Sequence, residues 1–449
     1  MTSIKSSKQE ILVGSSKLAS DQSNYFDRTK YMLDNMHFNK AYLFEISKKN
    51  SGDKKLILEK FKDNFKKYRD NWVNVSKNYK EQIKFDKNSN IHQPLSIDIE
   101  TASICDLACP HCSREYIVTP DKIMGFDLYK KLINEASLLN VPSVKLNWRG
   151  EPLLNPKIHE YIAYAKEKGI LEVSINTNAV ALSKKRSESL IKSGLDVIIF
   201  SFDGGTKKTY EKMRPGRFNK NSFESVYNNI KNFCLTKKEM NAKFPITKIQ
   251  MVLTYDSRNE IKNFYDIFAN IIDDVTVTQY NERGGSINDL TEEQKLKVKK
   301  YFKENNLPET TPYMVDINEN IFVSTKRKPC EQIFQRLMVT FDGRVGMCCH
   351  DWGAQHGIGF VSKDAFSQKS YLDVKNSIDI KKKGFELLKD AKMPREYNEP
   401  KHQEENLNSI WRGEELNKVR NLHNKGKVND LPVCKDCTFK DTFDWTLIN

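Results

Sequence analysis

The sequence lacks any uninterrupted apolar run close to the ~20 residues that a membrane-spanning helix needs. Residues 1–24 are polar and contain no apolar core of the kind found in secretory signal peptides. We therefore expect no transmembrane segment and a cytoplasmic location. Nine cysteines in 449 residues then favour metal ligation over disulfide bonds, because thiols stay reduced in that compartment.

The sequence has fewer acidic residues (59) than basic residues (73), which gives a net charge of +14. The chain has no RNA-binding motif and no alternation of aromatic and basic residues of the kind that marks a single-strand platform, so we expect no specific nucleic-acid partner. Two interpretations of the charge remain open. It is either the solvated surface of a lysine-rich protein, or it attracts an anionic substrate, membrane surface or electron carrier.

Three cysteines with the spacing C-x3-C-x2-C, Cys105, Cys109 and Cys112, directly follow a strand-like run at 95–99. Three thiolates hold three irons of a cubane [4Fe–4S] cluster, which normally takes four protein ligands. The fourth iron is then open to a cofactor that can receive an electron. The alternative is a structural zinc site, which His111 would complete, although its place between two cysteines would point the ring elsewhere.

Strand and helix patterns alternate through the middle of the chain. Short strands rich in Val and Ile are predicted at 95–102, 143–147, 171–176, 196–202, 246–254 and 274–280, with helices at 126–139, 156–168, 183–193, 222–240 and 257–271. Such repeats form a parallel sheet with right-handed crossovers. We predict an α/β fold with a partial (β/α)6 TIM-type barrel, whose chemistry lies at the carboxyl ends of the strands.

Polar clusters follow the first four predicted strands. The cysteine loop follows the first, and the next three end in 147–152, 176–179 and 201–204. Any one cluster is explained by an ordinary turn between a strand and a helix. Four such clusters at the ends of four successive strands, the first of them the cysteine loop, indicate one functional site.

These features resemble the radical SAM superfamily, whose cluster cleaves S-adenosylmethionine (SAM) to a 5′-deoxyadenosyl radical, and the resemblance covers 95 to about 285. Arg149-Gly150-Glu151-Pro152 is similar to the family's Gly-Gly-Glu-Pro loop. The resemblance implies that Gly150 lets the backbone approach the methionyl amine of SAM and that Glu151 accepts a hydrogen bond from it. Arg149 departs from the family pattern, and we expect it to crowd the loop or to point into the substrate chamber.

The resemblance also implies further SAM contacts. Ser201 and Asp203 match a Ser-x-Asp-Gly motif that reaches the ribose or carboxylate side of SAM, and Arg214 matches a basic position that pairs with the carboxylate. His111 occupies an often aromatic position where the backbone meets adenine. Two asparagines match the polar ridge of the third strand, Asn176 and Asn178.

Five more cysteines lie towards the C-terminus, and four of them have spacings suited to a shared metal site. Cys330 precedes a predicted hairpin that turns at Asp342-Gly343 and arrives at Cys348, and a distant C-x2-C pair is formed by Cys434 and Cys437. Four thiolates fill the coordination of either zinc or a [4Fe–4S] cluster, and spacing alone does not choose between them.

Next to a radical SAM core, this pattern resembles the SPASM/twitch extension, which carries auxiliary iron–sulfur clusters. The resemblance implies one auxiliary [4Fe–4S] cluster, with Cys348 favoured over Cys349 as a ligand by the hairpin geometry. We predict the following domains: a disordered N-terminus at 1–24, a helical N-terminal extension at 25–93, the radical SAM core at 94–285, a linker at 286–325, and a SPASM/twitch domain at 326–449 with an insertion at about 361–407.

The resemblance implies an oxidoreductase or epimerase that abstracts hydrogen from an unactivated C–H bond. We expect it to oxidise or epimerise a sugar, free or carrier-linked, or another small-molecule biosynthetic intermediate, with a flavodoxin or ferredoxin-type protein as the reductant. A maturase acting on a ribosomally made peptide is an alternative, although 25–93 shows none of the strands that a winged-helix leader-binding module needs. A zinc-stabilised scaffold without catalytic activity is the third possibility.

Overall fold

The structure is a computed structural model. It describes residues 13–14, 26–48, 53–82, 84–115, 117–280, 290–309, 311–316, 319–351, 353–376, 403–435, 437, 439 and 442–448.

Six neighbouring parallel strands, arranged in chain order, form the centre of the main sheet: β2 (Ser96–Ile99), β3 (Ser143–Lys145), β4 (Glu172–Thr177), β5 (Val197–Ser201), β6 (Ile246–Leu253) and β7 (Asp274–Gln279). Helices connect them: α4 (Phe126–Leu138), α5 (Ile158–Glu167), α6 (Lys184–Ser193), α7 (Lys207–Met213), α8 (Phe223–Glu239) and α9 (Ile261–Phe268). This arrangement confirms the predicted α/β fold with a partial (β/α)6 barrel.

The local sequence explains these elements. Helix α4 buries Tyr129, Leu132, Ile133 and Ala136, whose spacing of three or four residues places them on one face. Isoleucine, valine and phenylalanine of the central strands join these helix faces in one large hydrophobic core. Burial on both sides of the sheet leaves its strand ends as the place where polar side chains collect.

Three N-terminal helices close the opposite end of the barrel: α1 (Arg28–Asp34), α2 (Lys40–Lys48) and α3 (Lys54–Asn78). Met32 of α1, Phe65 of α3 and Met36, which lies between α1 and α2, pack in one cluster with Val197 and Ile246, the first residues of β5 and β6. The helical extension therefore covers the amino ends of the strands. The segment 1–24, predicted to be disordered, lies outside the described residues except for β1 (Val13–Gly14), which pairs antiparallel with β7.

The C-terminal region extends the main sheet. Strand β10 (Arg336–Val339) pairs parallel with β2, and β11 (Arg344–Gly346) and β12 (Gly357–Phe360) follow antiparallel, which gives the predicted hairpin. A separate antiparallel sheet has three strands in the order β13 (Phe443–Ile448), β9 (Ile321–Arg327) and β8 (Tyr313–Val315). The remaining elements are α10 (Glu292–Glu304), α11 (Gln332–Gln335), α12 (Lys369–Asn376), α13 (Leu407–Arg412), α14 (Glu414–Asn424) and α15 (Pro432–Lys435).

The structure adds detail to two of the predicted segments. The segment 286–325, predicted as a linker, contains α10, β8 and most of β9, which share a small hydrophobic core with β13. The charged residues that suggested a linker lie largely on the exposed face of α10. The segment 361–407, predicted as an insertion, includes α12, whose Tyr371 is fully buried; residues 377–402 lie outside the described part of the chain.

Candidate functional site

A cavity of about 430 Å³ lies at the carboxyl ends of the parallel strands. The parallel sheet brings to one edge loops that are far apart in the sequence. Every residue predicted for the first cluster and for SAM lines this cavity: Cys105, Cys109, His111, Cys112, Gly150, Glu151, Asn176, Asn178, Ser201, Asp203 and Arg214.

Backbone hydrogen bonds hold the cysteine loop in place. The Cys112 amide donates to the Cys109 carbonyl over 3.0 Å, and the Ala108 amide donates to the Pro215 carbonyl over 2.9 Å. Burial, with Cys109 and Glu151 nearby, raises the pKa of Cys105 well above its usual value. An unsupported thiolate is therefore unfavourable here, and a bound metal would supply the missing positive charge.

The donor set fits an iron–sulfur cluster. Three thiols of one loop reach the cavity. Among the described residues, no three His, Cys, Asp or Glu side chains lie close enough together to hold a single metal ion. A cubane does not require such closeness, because each thiolate binds a different iron.

Gly150 occupies a position that only glycine fits. Its φ is +71°, and a Cβ there would lie 2.3 Å from the Ala102 carbonyl oxygen and 2.7 Å from that of Ile104. The Glu151 amide donates to the Ile104 carbonyl over 2.8 Å. The loop that carries Glu151 is thus pressed against the backbone just before Cys105.

Glu151 is buried, and protein donors fix its carboxylate. Oε1 accepts from the Leu153 amide (2.9 Å) and the Thr177 hydroxyl (2.7 Å), and Oε2 accepts from the Asn178 amide (2.7 Å). Burial raises the pKa of Glu151 to about 7 in spite of these bonds, and Asp106 adds to the shift. A cationic ligand in the cavity would favour the ionised carboxylate.

The two asparagines of the β4 end differ in their environment. The Asn178 side chain donates to Asp106 Oδ1 over 2.6 Å, and its Nδ2 lies 4.0 Å from Cys105 Sγ. The Asn176 amide donates to Asn147 Oδ1 over 2.7 Å, whereas its own Oδ1 is buried without a hydrogen-bond partner. An unsatisfied buried acceptor at a cavity wall is a position where a ligand donor would be favourable.

His111, Asp203 and Arg214 form one charged group. Arg214 Nε and Nη2 donate to Asp203 Oδ2 over 2.9 and 2.7 Å, and His111 Nε2 lies 3.3 Å from the same oxygen. Burial alone would raise the pKa of Asp203, but Arg214 and His111 lower it well below its usual range. Arg214, predicted to pair with the SAM carboxylate, already has a carboxylate partner within the protein.

Arg149 lines the cavity, and its guanidinium is held by side chains of the protein. Its guanidinium forms a bidentate pair with Glu100, and it also donates to the Tyr371 hydroxyl (3.2 Å). All three side chains are buried. Glu100 and Tyr371 were missed by the sequence analysis; a glutamate at the end of an apolar strand was the available signal.

Three further residues of the cavity wall were missed by the sequence analysis: Lys145, Gln250 and Thr278; Asn147 and Trp148, from the predicted cluster at 147–152, and Tyr280, which closes the last predicted strand, also line the wall. They lie at or beside the carboxyl ends of β3, β6 and β7, away from the cysteine loop in the sequence. A lysine in β3 and a glutamine in the apolar strand β6 were the signals that could have identified them.

The four C-terminal cysteines predicted as auxiliary ligands, Cys330, Cys348, Cys434 and Cys437, line a second, small cavity of about 20 Å³. Cys330 follows β9, Cys348 follows β11, and Cys434 lies in α15. Burial raises the pKa of Cys434 to about 12, with Cys437 contributing. Four thiols around one cavity, two of them buried (Cys348 and Cys434), suit a soft metal centre.

Cys349 differs from its neighbour. Its thiol lies 3.4 Å from Gln332 Oε1 and is not among the residues that line the second cavity. Its carbonyl accepts a hydrogen bond of 3.2 Å from Trp148 Nε1, a residue of the first cavity. This hydrogen bond connects the first cavity, which Trp148 lines, with the residue that directly follows Cys348 of the second cavity.

His423, in α14, was missed by the sequence analysis. Its Nδ1 accepts from the Cys330 amide over 3.2 Å, and its Nε2 lies 3.4 Å from Cys434 Sγ. Burial and the charge of Arg327 lower the pKa of His423 to about 4, so the ring is neutral at pH 7. No local motif marks this histidine, because it meets the cysteines only through the fold.

Comparisons with known proteins define the class. Residues 99–266 match the Radical SAM superfamily, and residues 330–438 match SPASM, an iron–sulfur cluster-binding domain. The chain thus contains a radical SAM domain followed by a SPASM domain, as the sequence predicted. These domains imply a SAM-binding [4Fe–4S] cluster, an auxiliary iron–sulfur cluster and SAM, which confirms the predicted cofactors.

Two curated relatives illustrate the similarity. A GTP 3′,8-cyclase of Synechococcus sp. (strain CC9902) is 35% identical over 115 residues, which cover 24% of this chain and 32% of the relative. A tungsten-containing aldehyde ferredoxin oxidoreductase cofactor-modifying protein of Pyrococcus furiosus is 27% identical over 108 residues, covering 23% and 30%. The chain therefore matches about a third of the length of these relatives.

Solved structures resemble the chain more distantly. Streptococcus suis SuiB bound to precursor peptide SuiA is 16% identical with a TM-score of 0.48, covering 88% of this chain and 76% of that one. BtrN in complex with AdoMet and 2-DOIA is 15% identical with a TM-score of 0.40, covering 80% and 100%.

In the part of this chain that the structure describes, no helix has the length and apolarity needed to cross a membrane.

Proposed function

We propose that the protein is a radical SAM enzyme that abstracts hydrogen from an unactivated C–H bond of a polar small molecule. The observation that carries the proposal is the single cavity onto which the three cysteines and the predicted SAM contacts converge. Cys105, Cys109 and Cys112 would hold the first cluster. When bound, that cluster supplies an electron to SAM, whose cleavage yields the radical that removes the hydrogen.

The chain's own residues would orient SAM. The close packing of Gly150 against the Ala102 and Ile104 carbonyls sets the position of its loop, and the Glu151 carboxylate, fixed by three protein donors, would accept hydrogen bonds from the methionyl amine. Arg214 uses Nε and Nη2 for Asp203. A guanidinium has five N–H donors, so further donors are left for the SAM carboxylate.

The remaining wall of the cavity supports a polar substrate. Lys145, Gln250 and Thr278 line it together with Tyr280 and Ser201. A wall with a cation and several hydrogen-bonding groups suits a sugar or another hydroxyl-rich intermediate better than an apolar one. The second cluster, held by Cys330, Cys348, Cys434 and Cys437, would exchange electrons with the substrate radical, as oxidation requires.

Deuterium transfer tests this proposal. The protein is reconstituted anaerobically with iron and sulfide, reduced, and incubated with SAM and deuterated candidates: free sugars, nucleotide-linked sugars and short peptides. We expect deuterium to appear in 5′-deoxyadenosine with a sugar and not with peptides. Deuterium transfer from a peptide alone would contradict the small-molecule assignment, and purified protein that holds zinc instead of iron would contradict the enzymatic one.

The reductant is tested in the same assay. We propose a flavodoxin or a ferredoxin-type protein, which suits the positive net charge of the chain because such carriers are acidic. Replacing dithionite by a recombinant flavodoxin with its reductase should sustain turnover, with a rate that falls as salt is added. A rate that does not change with salt would contradict electrostatic attraction to the carrier.

A further inference from the structure

His423 bridges two of the four cysteines of the auxiliary site. The Cys330 amide donates to Nδ1 over 3.2 Å, and Nε2 lies 3.4 Å from Cys434 Sγ. The side chain is 2% exposed, so water does not compete for either contact. His423 is not one of the four residues predicted to bind the auxiliary cluster, so its place beside them needs another explanation.

The first contact fixes the proton on the ring. A backbone N–H can only donate, so Nδ1 must be the unprotonated nitrogen. In a neutral imidazole the proton is then on Nε2. The ring therefore presents an N–H donor to Cys434 Sγ, at a distance suited to a hydrogen bond to sulfur.

We propose that His423 is a positioning residue that sets the reduction potential of the auxiliary cluster through an Nε2–H···Sγ hydrogen bond to Cys434. Reduction adds negative charge to a cluster and its thiolates, so a donor to a ligand sulfur stabilises the reduced state more than the oxidised state. The bond thus raises the potential and makes the cluster a better electron acceptor. This inference rests on the proposed function and deepens it.

Arg327 completes the arrangement around Cys434. Its Nη1 donates to the Cys434 carbonyl, and its guanidinium lies 5.2 Å from the centre of the Phe443 ring. A positive charge beside the same cysteine acts in the same direction as the histidine bond. Both groups favour electron uptake at this cluster over release.

Substitutions at His423 test the inference. A background with Cys105, Cys109 and Cys112 changed to alanine leaves only the auxiliary cluster, whose potential is measured by redox titration with electron paramagnetic resonance. In His423→Phe, which keeps the ring shape without a donor, we expect the equilibrium constant for one-electron reduction to fall about tenfold, or about 59 mV. His423→Gln offers both an acceptor and a donor and should restore part of the loss.

A wild-type measurement covers the case in which His423→Phe fails to assemble its cluster. Exchange into deuterium oxide should shift the terminal iron–sulfur stretches seen by resonance Raman spectroscopy, because the proton on Nε2 is exchangeable. An unchanged potential in His423→Phe, or no deuterium shift in the wild type, would overturn the inference. SAM cleavage by the wild type is scored separately, so that its loss would count against the proposed function and not against the role of His423.

Discussion

Arg149 and Glu100 form a bidentate ion pair, in which Nε donates to Oε1 over 2.6 Å and Nη2 donates to Oε2 over 2.8 Å. Both side chains are fully buried. Glu100 Oε2 also accepts from the Phe341 amide over 3.1 Å, at the turn between β10 and β11. The pair thus joins the loop that carries Glu151 to the hairpin that leads to Cys348.

Breaking this pair should be costly. Arg149→Ala leaves a buried carboxylate without its partner, and we expect the free energy of unfolding to fall by about 3–5 kcal/mol. Arg149→Lys is the matched control, because it keeps the charge and loses the bidentate geometry; its loss should be smaller. Chemical denaturation under anaerobic conditions measures both. Equal stability of Arg149→Ala and the wild type would show that the pair does not hold the two regions together.

Gly150→Ala should disrupt the first site. The new Cβ would meet the carbonyls of Ala102 and Ile104, which immediately precede Cys105, so we expect loss of SAM cleavage. Gly169→Ala is the control, because Gly169 also has a positive φ (+89°) but no atom within 4 Å of its Cβ position. The control bears only the backbone penalty of about 1–2 kcal/mol. Normal SAM cleavage by Gly150→Ala would contradict the close approach.

Glu151→Ala should weaken SAM binding by about 1.5–3 kcal/mol, the range for a hydrogen bond to a charged group. Equilibrium dialysis with the reconstituted protein measures the affinity. Unchanged SAM affinity with impaired substrate turnover would place Glu151 in the substrate chamber.

The same carboxylate predicts a pH dependence. The pKa of Glu151 lies at about 7, above its usual value because of burial, so the acid form prevails at pH 6 and the carboxylate at pH 8. The methionyl ammonium binds the carboxylate, and SAM affinity should therefore rise from pH 6 to pH 8. Glu151→Gln cannot ionise and should show a flat profile. A parallel rise in both proteins would assign the titration to another group.

The adjacent pair Cys348 and Cys349 should behave differently. Cys348 lines the cavity shared with the other three C-terminal cysteines, whereas the Cys349 thiol lies beside Gln332. Cys348→Ala should lose roughly half of the iron, and Cys349→Ala should keep all of it. Cys348→Ala should also cleave SAM slowly and form no product. If Cys349→Ala lost this iron and Cys348→Ala kept it, Cys349 would be the ligand.

Much of the site was predictable because parallel strands collect their carboxyl ends at one edge. The cysteine triplet and the loops at Glu151, Asn178 and Asp203 each follow a strand that the alternation of apolar residues identified. Position along the chain was then enough to predict that these side chains would meet, and the structure brings them to one cavity.

The rest depended on contacts that no local pattern encodes. The direction of Arg149 is set by Glu100 and by Tyr371, which lies in a segment predicted as an insertion. His423 reaches the auxiliary site only because α14 packs against the segment that follows β9. Most residues of α10 are charged, so its few apolar residues did not stand out in the sequence and the segment was predicted as a linker.

The production of 5′-deoxyadenosine tests the central claim most directly. The anaerobically reconstituted protein is reduced with dithionite and supplied with SAM, and the nucleoside is measured by liquid chromatography and mass spectrometry. We predict that the wild type forms 5′-deoxyadenosine, and that the variant with Cys105, Cys109 and Cys112 changed to alanine forms none while keeping roughly half of the iron. Formation of 5′-deoxyadenosine by that variant at the wild-type rate would contradict the assignment of these cysteines to the cluster that cleaves SAM.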